Sequence, residues 1–185
     1  MPPINTAGDP HNAFVERRGL AGSSKGALGG TSFAVKDNVA VQGMAFTAGH
    51  PLFADRRAGE TAPAVQCLLD AGADFVGMTQ TDAGGFGATT PQTRNPAAPG
   101  LIVGGSSGGS AAAIAGGNCD FAIGTDTGGS IRLLDPRECA ARPLKFLCHG
   151  LGNATGLGIG SLGELFGWAG AAGLPVAPHT KIFAS

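Results

Sequence analysis

A chain of 185 residues with a net charge of −1 and 14% charged residues supplies one domain's worth of core and no basic field for nucleic acid or anionic lipid. Its 33 glycines, 12 prolines and absence of tyrosine are unusual, but glycine follows no three-residue period, which excludes a collagen-like rod. The glycines therefore belong to turns, helix caps and close backbone approaches. The opening MPPINTAGDPHNAF lacks the basic start and apolar run of a secretory signal. The apolar stretch from Ala111 to Ala122 is interrupted by Asn118 and Asp120 and is too short to span a bilayer. Cys67, Cys119, Cys139 and Cys148 show no CxxC spacing and read as free thiols, so a soluble cytoplasmic protein is expected.

In chain order, residues 4–30 are polar turn material around the short apolar stretch Ala13-Phe14-Val15, ending in a tight run with Gly26, Gly29 and Gly30. Ser32 to Val41, SFAVKDNVAV, is β-branched and apolar enough for a strand with Lys36-Asp37-Asn38 in its middle. Ala64, Val65, Leu68 and Leu69 are spaced to predict a helix from Thr61 to Ala71, closed by Gly72. Asp74 to Met78 is a short buried strand, and residues 82–100 are loop. GGSSGGS at 104–110 leads into the small-residue helix AAAIAGG, and Phe121-Ala122-Ile123 feeds a second turn, GTDTGGS at 124–130. Strands alternating with helices imply an α/β layer fold, and no internal repeat is present. After Arg132 the pattern weakens. Only Leu162 to Ala172 suggests a helix there, against Gly163, Gly167 and Gly170, each unfavourable by about 1 kcal/mol relative to alanine.

The two glycine-serine turns carry the chemistry. Glycine lets backbone N–H groups approach a ligand, and Thr127-Gly128-Gly129 precede Ser130, so successive N–H groups could converge on an oxyanion beside its hydroxyl. Such donors are worth about 3–4 kcal/mol each in a transition state. A serine needs a base, and the histidines do not offer one: His11 and His50 sit in polar turns, His149 and His179 in the tail. Lys36, alone among Phe33, Ala34, Val35, Val39 and Val41, is the better candidate, because burial disfavours its charged form. Ser106 could relay the proton from Ser130 to Lys36.

Each feature has a plainer alternative. A lysine in a strand is commonly edge protection. GGSSGGS before a helix could be an anion-binding turn, although it lacks the lysine and spacing of a P-loop. GTDTGGS could be a simple turn, with Asp126 bonding the local backbone.

Taken together, FAVKDN at 33–38, GGSSGGSAAA at 104–113 and GTDTGGSIR at 124–132 closely resemble the amidase signature family. The resemblance runs from about Asn12 to Arg132 and takes in Arg94-Asn95-Pro96. It implies a layered α/β/α core with a mixed sheet, here incomplete, and a Ser–cis-Ser–Lys triad that hydrolyses carboxamides. Carried over, Ser130 is the nucleophile, Ser106 the cis-peptide serine and Lys36 the base. Ser107 supports Lys36, and the N–H groups of Thr127, Gly128, Gly129 and Ser130 form the oxyanion hole. Met78 departs from the lysine of many relatives at a position outside the triad.

The resemblance fades after Arg132, where LLDPRECAARPLKFLCHG keeps only the echoes of Cys139 and Arg142-Pro143-Leu144-Lys145. Residues 1–132 thus read as the triad-bearing part of an amidase domain and 133–185 as a divergent tail, as in a truncated or frameshifted product. The expected activity is hydrolysis of a carboxamide or urea-like C–N bond through an acyl-enzyme, with neither metal nor organic cofactor. The alternatives are an inactive remnant and the amidase-type subunit of a glutamine-dependent amidotransferase. The expected partner is a small-molecule amide, with no nucleic acid and no membrane; a homodimer is compatible with the sequence.

Overall fold

The computed structural model describes residues 8–131, Leu134 and the backbone of 146–149. Five strands form one mixed sheet: β1 (Phe14–Glu16), β2 (Ser32–Lys36), β3 (Asp74–Thr79), β4 (Phe121–Thr125) and β5 (Phe146–His149). Their order across the sheet is β1-β3-β2-β4-β5. β1 runs antiparallel to β3, and the other neighbours pair in parallel. Parallel strands need crossovers, and helices α1 (Pro63–Asp70) and α2 (Gly108–Ala115) lie in the connections β2 to β3 and β3 to β4.

The central strands sort their side chains by the two-residue period of a pleated sheet. Phe33, Val35, Phe121 and Ile123 face one cluster, which also holds Val65 and Leu68 of α1. Ala34 and Ala122 face the other, together with Ala111, Ala112, Ala113 and Ile114 of α2. The sheet therefore lies between two helices, the α/β/α arrangement that the family resemblance implies. The two faces differ in kind. On the α1 side, the Phe33 ring stacks on Phe121 at 5.5 Å and meets Phe75 edge-on at 5.8 Å. On the α2 side the helix itself presents mainly glycine and alanine to the strands, so it approaches them closely.

Both helices stop for the same reason. After α1, Gly72 enters the left-handed region at φ 98°. Its N–H donates to the Leu69 carbonyl and that of Ala73 to Leu68, which satisfies the last turn. After α2, Gly117 at φ 73° does the same, with N–H bonds from Gly117 to Ile114 and from Asn118 to Ala113. Pro63 begins α1 where its missing N–H costs nothing. The 22–29 loop covers the end of α1, its Ser23 and Leu28 N–H groups donating to the Leu69 and Ala71 carbonyls.

Three boundaries differ from the sequence reading. The strand expected over 32–41 ends at Lys36, because the N–H groups of Asn38 and Val39 both turn back onto the Lys36 carbonyl. The helix expected from Ala111 begins at Gly108, so the second half of GGSSGGS is helical rather than turn. The tail expected to hold few clear strands supplies β5, paired in parallel with β4. The helix suggested at 162–172 lies outside the described residues. No helix among the described residues is long and apolar enough to cross a membrane.

Asp37, at the turn that ends β2, is fully buried. Its carboxylate accepts the Thr47 N–H at 2.9 Å, the Thr47 hydroxyl and the Gly49 N–H at 3.4 Å. Burial pushes this carboxyl above its ordinary value; the bonds from Thr47 and Gly49 pull it back, and the charge of Glu16 adds to the push. Folded Asp37 therefore holds its proton more tightly than unfolded Asp37.

Its contribution to stability is full below the ordinary value of 3.8 and is lost as pH rises through the raised folded value. Urea midpoints of wild type and Asp37→Asn test this: the wild-type midpoint should fall relative to the variant across that window. Parallel curves throughout would refute it. The close α2 packing makes a second expectation. A Cβ on Gly109 would lie 2.7 Å from the Ala13 carbonyl oxygen and nearer still to the Gln80 backbone. Gly109→Ala should cost about 1–3 kcal/mol in denaturant unfolding.

Candidate active site

Three chain segments converge where β2 and β4 end and α2 begins. Lys36, the last residue of β2, is fully buried, and its Nζ donates to Ser106 Oγ at 2.6 Å and Ser107 Oγ at 3.1 Å. It also reaches Thr125 at the end of β4, with Oγ1 at 3.0 Å and the carbonyl oxygen at 3.5 Å. A buried amine is costly unless its donors are met, and these hydroxyl and carbonyl oxygens meet them.

The serines are held by the backbone around them. The Gly105–Ser106 peptide is cis, and Gly104 before it has φ 79°. A Cβ on Gly105 would fall 2.6–2.7 Å from the Thr89 backbone, and one on Gly108 would fall 2.5 Å from Thr90 Oγ1. The 89–90 segment thus presses the turn into place, and the Gly108 N–H donates to Thr90 Oγ1. Ser107 donates its hydroxyl proton to the Thr125 carbonyl at 3.2 Å. Ser106 donates its own to the Gly85 carbonyl at 2.6 Å. A carbonyl cannot donate, so this assignment of the Ser106 proton is fixed by chemistry.

Ser130 is buried, and its carbonyl accepts the Ser107 N–H at 3.1 Å, which ties the second turn to the first. The turn before it is organised by Asp126, whose carboxylate accepts the N–H groups of Gly129 at 2.7 Å and Ile131 at 3.3 Å. Gly129 adopts φ 132°, a conformation that favours glycine. Among the described residues beyond its chain neighbours, no atom lies within 4 Å of a Cβ built on Gly128.

The structure therefore joins Lys36, Ser106 and Ser107 directly and attaches Ser130 through its backbone. Of the four N–H groups expected to form an oxyanion hole, that of Gly129 is held by Asp126 in this arrangement. Sequence reading passed over three contributors. Gly85 accepts the Ser106 proton; Thr125 receives Lys36; and Asn38 Nδ2 donates to Thr125 Oγ1 at 2.9 Å. Asn38 and Thr125 lie inside the motifs already singled out, and Gly84-Gly85 is a paired glycine with φ 85° and 73°.

Other candidates fall away. His50 caps a short 3-10 turn, Pro51–Phe53, through Nδ1. The Cys119 thiol is pushed up to about 12 by burial, aided by the charge of Asp120, and is inert as a nucleophile. Met78 lies in the apolar cluster on the α1 face. Among the described residues, no group of three or more His, Cys, Asp or Glu side chains could hold a metal ion. An open hollow of about 560 Å³ is lined by His11, Thr89, Thr90, Arg94 and Leu101 among others, but not by Lys36, Ser106 or Ser130.

Comparisons with known proteins converge on this same segment. The chain is 46% identical over 127 residues to a Glutamyl-tRNA(Gln) amidotransferase subunit of Natronomonas pharaonis, covering 66% of this chain and 30% of that protein. The crystal structure of the like-named subunit from Thermotoga maritima superposes with a TM-score of 0.61 at 35% identity, over 65% of this chain and 28% of the other. An amidase family protein from Bacillus anthracis gives a TM-score of 0.54 at 30% identity, over 59% and 24%. The chain spans less than a third of the length of these relatives. Residues 11–133, which hold both turns, the lysine strand and the helices between them, match the family described as Amidase, and the chain belongs to that family.

Proposed function

We propose that this chain carries the acyl-transfer machinery of an amide hydrolase acting on the C–N bond of a small carboxamide or urea-like substrate. The observation that carries the reading is the buried 2.6 Å bond between Lys36 Nζ and Ser106 Oγ, set beside the turn that holds Ser130. Ser130 Oγ attacks the acyl carbon while its proton passes to Ser106, whose own proton passes to Lys36, acting as a neutral amine. The developing oxyanion is met by the N–H groups of the 127–130 turn. Collapse breaks the C–N bond, and the proton returns by the same path to the leaving nitrogen. Water then cleaves the acyl-enzyme, restoring Ser130. Ser107 supports Lys36, while Asp126 orders the turn by holding Gly129 and Ile131.

The identity to one subunit of a tRNA-dependent amidotransferase favours a second reading of the same machinery. There the amide substrate is glutamine, and the released ammonia goes to a partner protein rather than to solvent. Lys36, Ser106 and Ser130 keep the same roles in both readings.

A fluorophosphonate probe tests the nucleophile. It should add covalently to the wild-type chain and fail to add to Ser130→Ala; equal labelling of the two would sink the assignment. Lys36→Ala and Ser106→Ala should slow labelling by about 10²–10⁴-fold, the usual worth of a positioned proton-transfer group. For the second reading, glutamine hydrolysis should be seen only after a companion amidotransferase subunit is added. Turnover of simple amides by the chain alone, with no response to the companion, would exclude it.

A further inference from the structure

We propose that Asp37 is a positioning residue: its buried carboxylate fixes the 47–49 turn, which holds Gly84-Gly85 and so sets the Gly85 carbonyl that receives the Ser106 proton. The proposal rests on the amide-hydrolase reading, since it concerns the relay serine of that mechanism. The chain of contacts is continuous. Asp37 gathers Thr47 and Gly49 through its carboxylate, and its carbonyl accepts the Ala48 N–H at 2.8 Å. Ala48 is held in the left-handed region at φ 49°, disfavoured for a residue with a Cβ. Its carbonyl accepts the Gly84 N–H at 2.8 Å. A Cβ on Gly49 would fall 2.5 Å from the carbonyl oxygens of Thr81 and Asp82, so this turn is pressed against the segment that leads into Gly84. From Gly85 the path continues to Ser106 at 2.6 Å and to Lys36 at 2.6 Å. It closes on the residue that precedes Asp37.

The ring matters because Ser106 has a single proton to give. In this arrangement Lys36 donates to Ser106, and Ser106 donates away from Lys36, onto Gly85. Relay needs the opposite orientation, with the Ser106 proton aimed at a neutral Lys36. The Gly85 carbonyl anchors Ser106 Oγ at 2.6 Å from Lys36 Nζ, so that the hydroxyl need only turn to reach the amine, and displacing that carbonyl misplaces the relay oxygen. Asp37 bonds neither serine and acts only through the 47–49 turn and Gly84-Gly85.

Two measurements on the full chain decide the matter. In native-state hydrogen exchange, the Gly84 amide should lose at least about tenfold of its protection in Asp37→Ala while the amides of β3 keep theirs. Unchanged Gly84 protection overturns the proposal. In fluorophosphonate labelling, Asp37→Ala should slow the reaction of Ser130, Asp37→Asn should restore part of the rate, and Asp37→Ala should have no further effect in a Ser106→Ala background. An equal slowing in both backgrounds would show that Asp37 acts only on general stability, and overturns the proposal alone. An unlabelled wild type would overturn the hydrolase reading and this proposal with it. Should Asp37→Ala fail to fold, Thr47→Val, which removes only the hydroxyl donor, carries the same two measurements.

Discussion

Burying an amine inside an apolar sheet is expensive, and the bonds made by Lys36 Nζ are what the surrounding architecture exists to supply. The lysine ends the middle strand of the sheet, with β3 on one side and β4 on the other. No nearby residue on its own strand could reach it. The oxygens come instead from Thr125, where β4 ends, and from Ser106 and Ser107, where α2 starts. Long-range topology and local chemistry are therefore one problem here. The crossovers that let parallel strands pair also bring two distant segments to one nitrogen.

That convergence depends on how near α2 lies to the sheet. A helix of Gly, Ala, Ser and one Ile has little to offer in buried area, and its face of the core is thinner than the phenylalanine-lined face opposite. In return it brings its N-terminal turn within hydrogen-bond distance of β2 and β4. Deep in this layer, Ser110 bonds the Thr79 hydroxyl at 2.7 Å and the Ile123 carbonyl at 3.3 Å, linking α2 to the strands on both sides of β2.

Much of this was legible in the sequence, unevenly. The strand-helix alternation and the capping role of Gly72 follow from period and composition, while the pairing of Lys36 with two serine turns was suggested by the lysine's apolar surroundings and implied by the family resemblance. The end of β2 was not legible, since Val39 and Val41 continue the strand pattern after the backbone has turned away. The strand stops where the Asn38 and Val39 N–H groups fold back onto the Lys36 carbonyl, and that turn is held by the Asp37 carboxylate on Thr47, ten residues on, a contact that the apolar pattern does not record. Nor could the start of α2 be placed, because glycine has low helix propensity, and close packing against Thr90 and Gln80 overrides it. Gly85 escaped notice for a related reason: it contributes only a carbonyl, and a carbonyl leaves no trace in residue identity. Asp126 was read as a local backbone partner and does bond the backbone, holding one of the N–H groups assigned to the oxyanion.

The small-residue face also has a consequence for how such a domain drifts over generations. On the phenylalanine side, volume can be exchanged between neighbours, so many combinations of Leu, Val, Met and Phe fill the same space. Where α2 meets the strands that exchange is narrower: Gly108, Gly109 and Ala111 to Ala113 are already the smallest residues, and a gain in volume at one of them cannot be recovered by shrinking another. Variation is thereby channelled away from the helix and into the loops that approach the turns from outside. Divergence among members of such a lineage should be written in those loops, around a helix that barely changes.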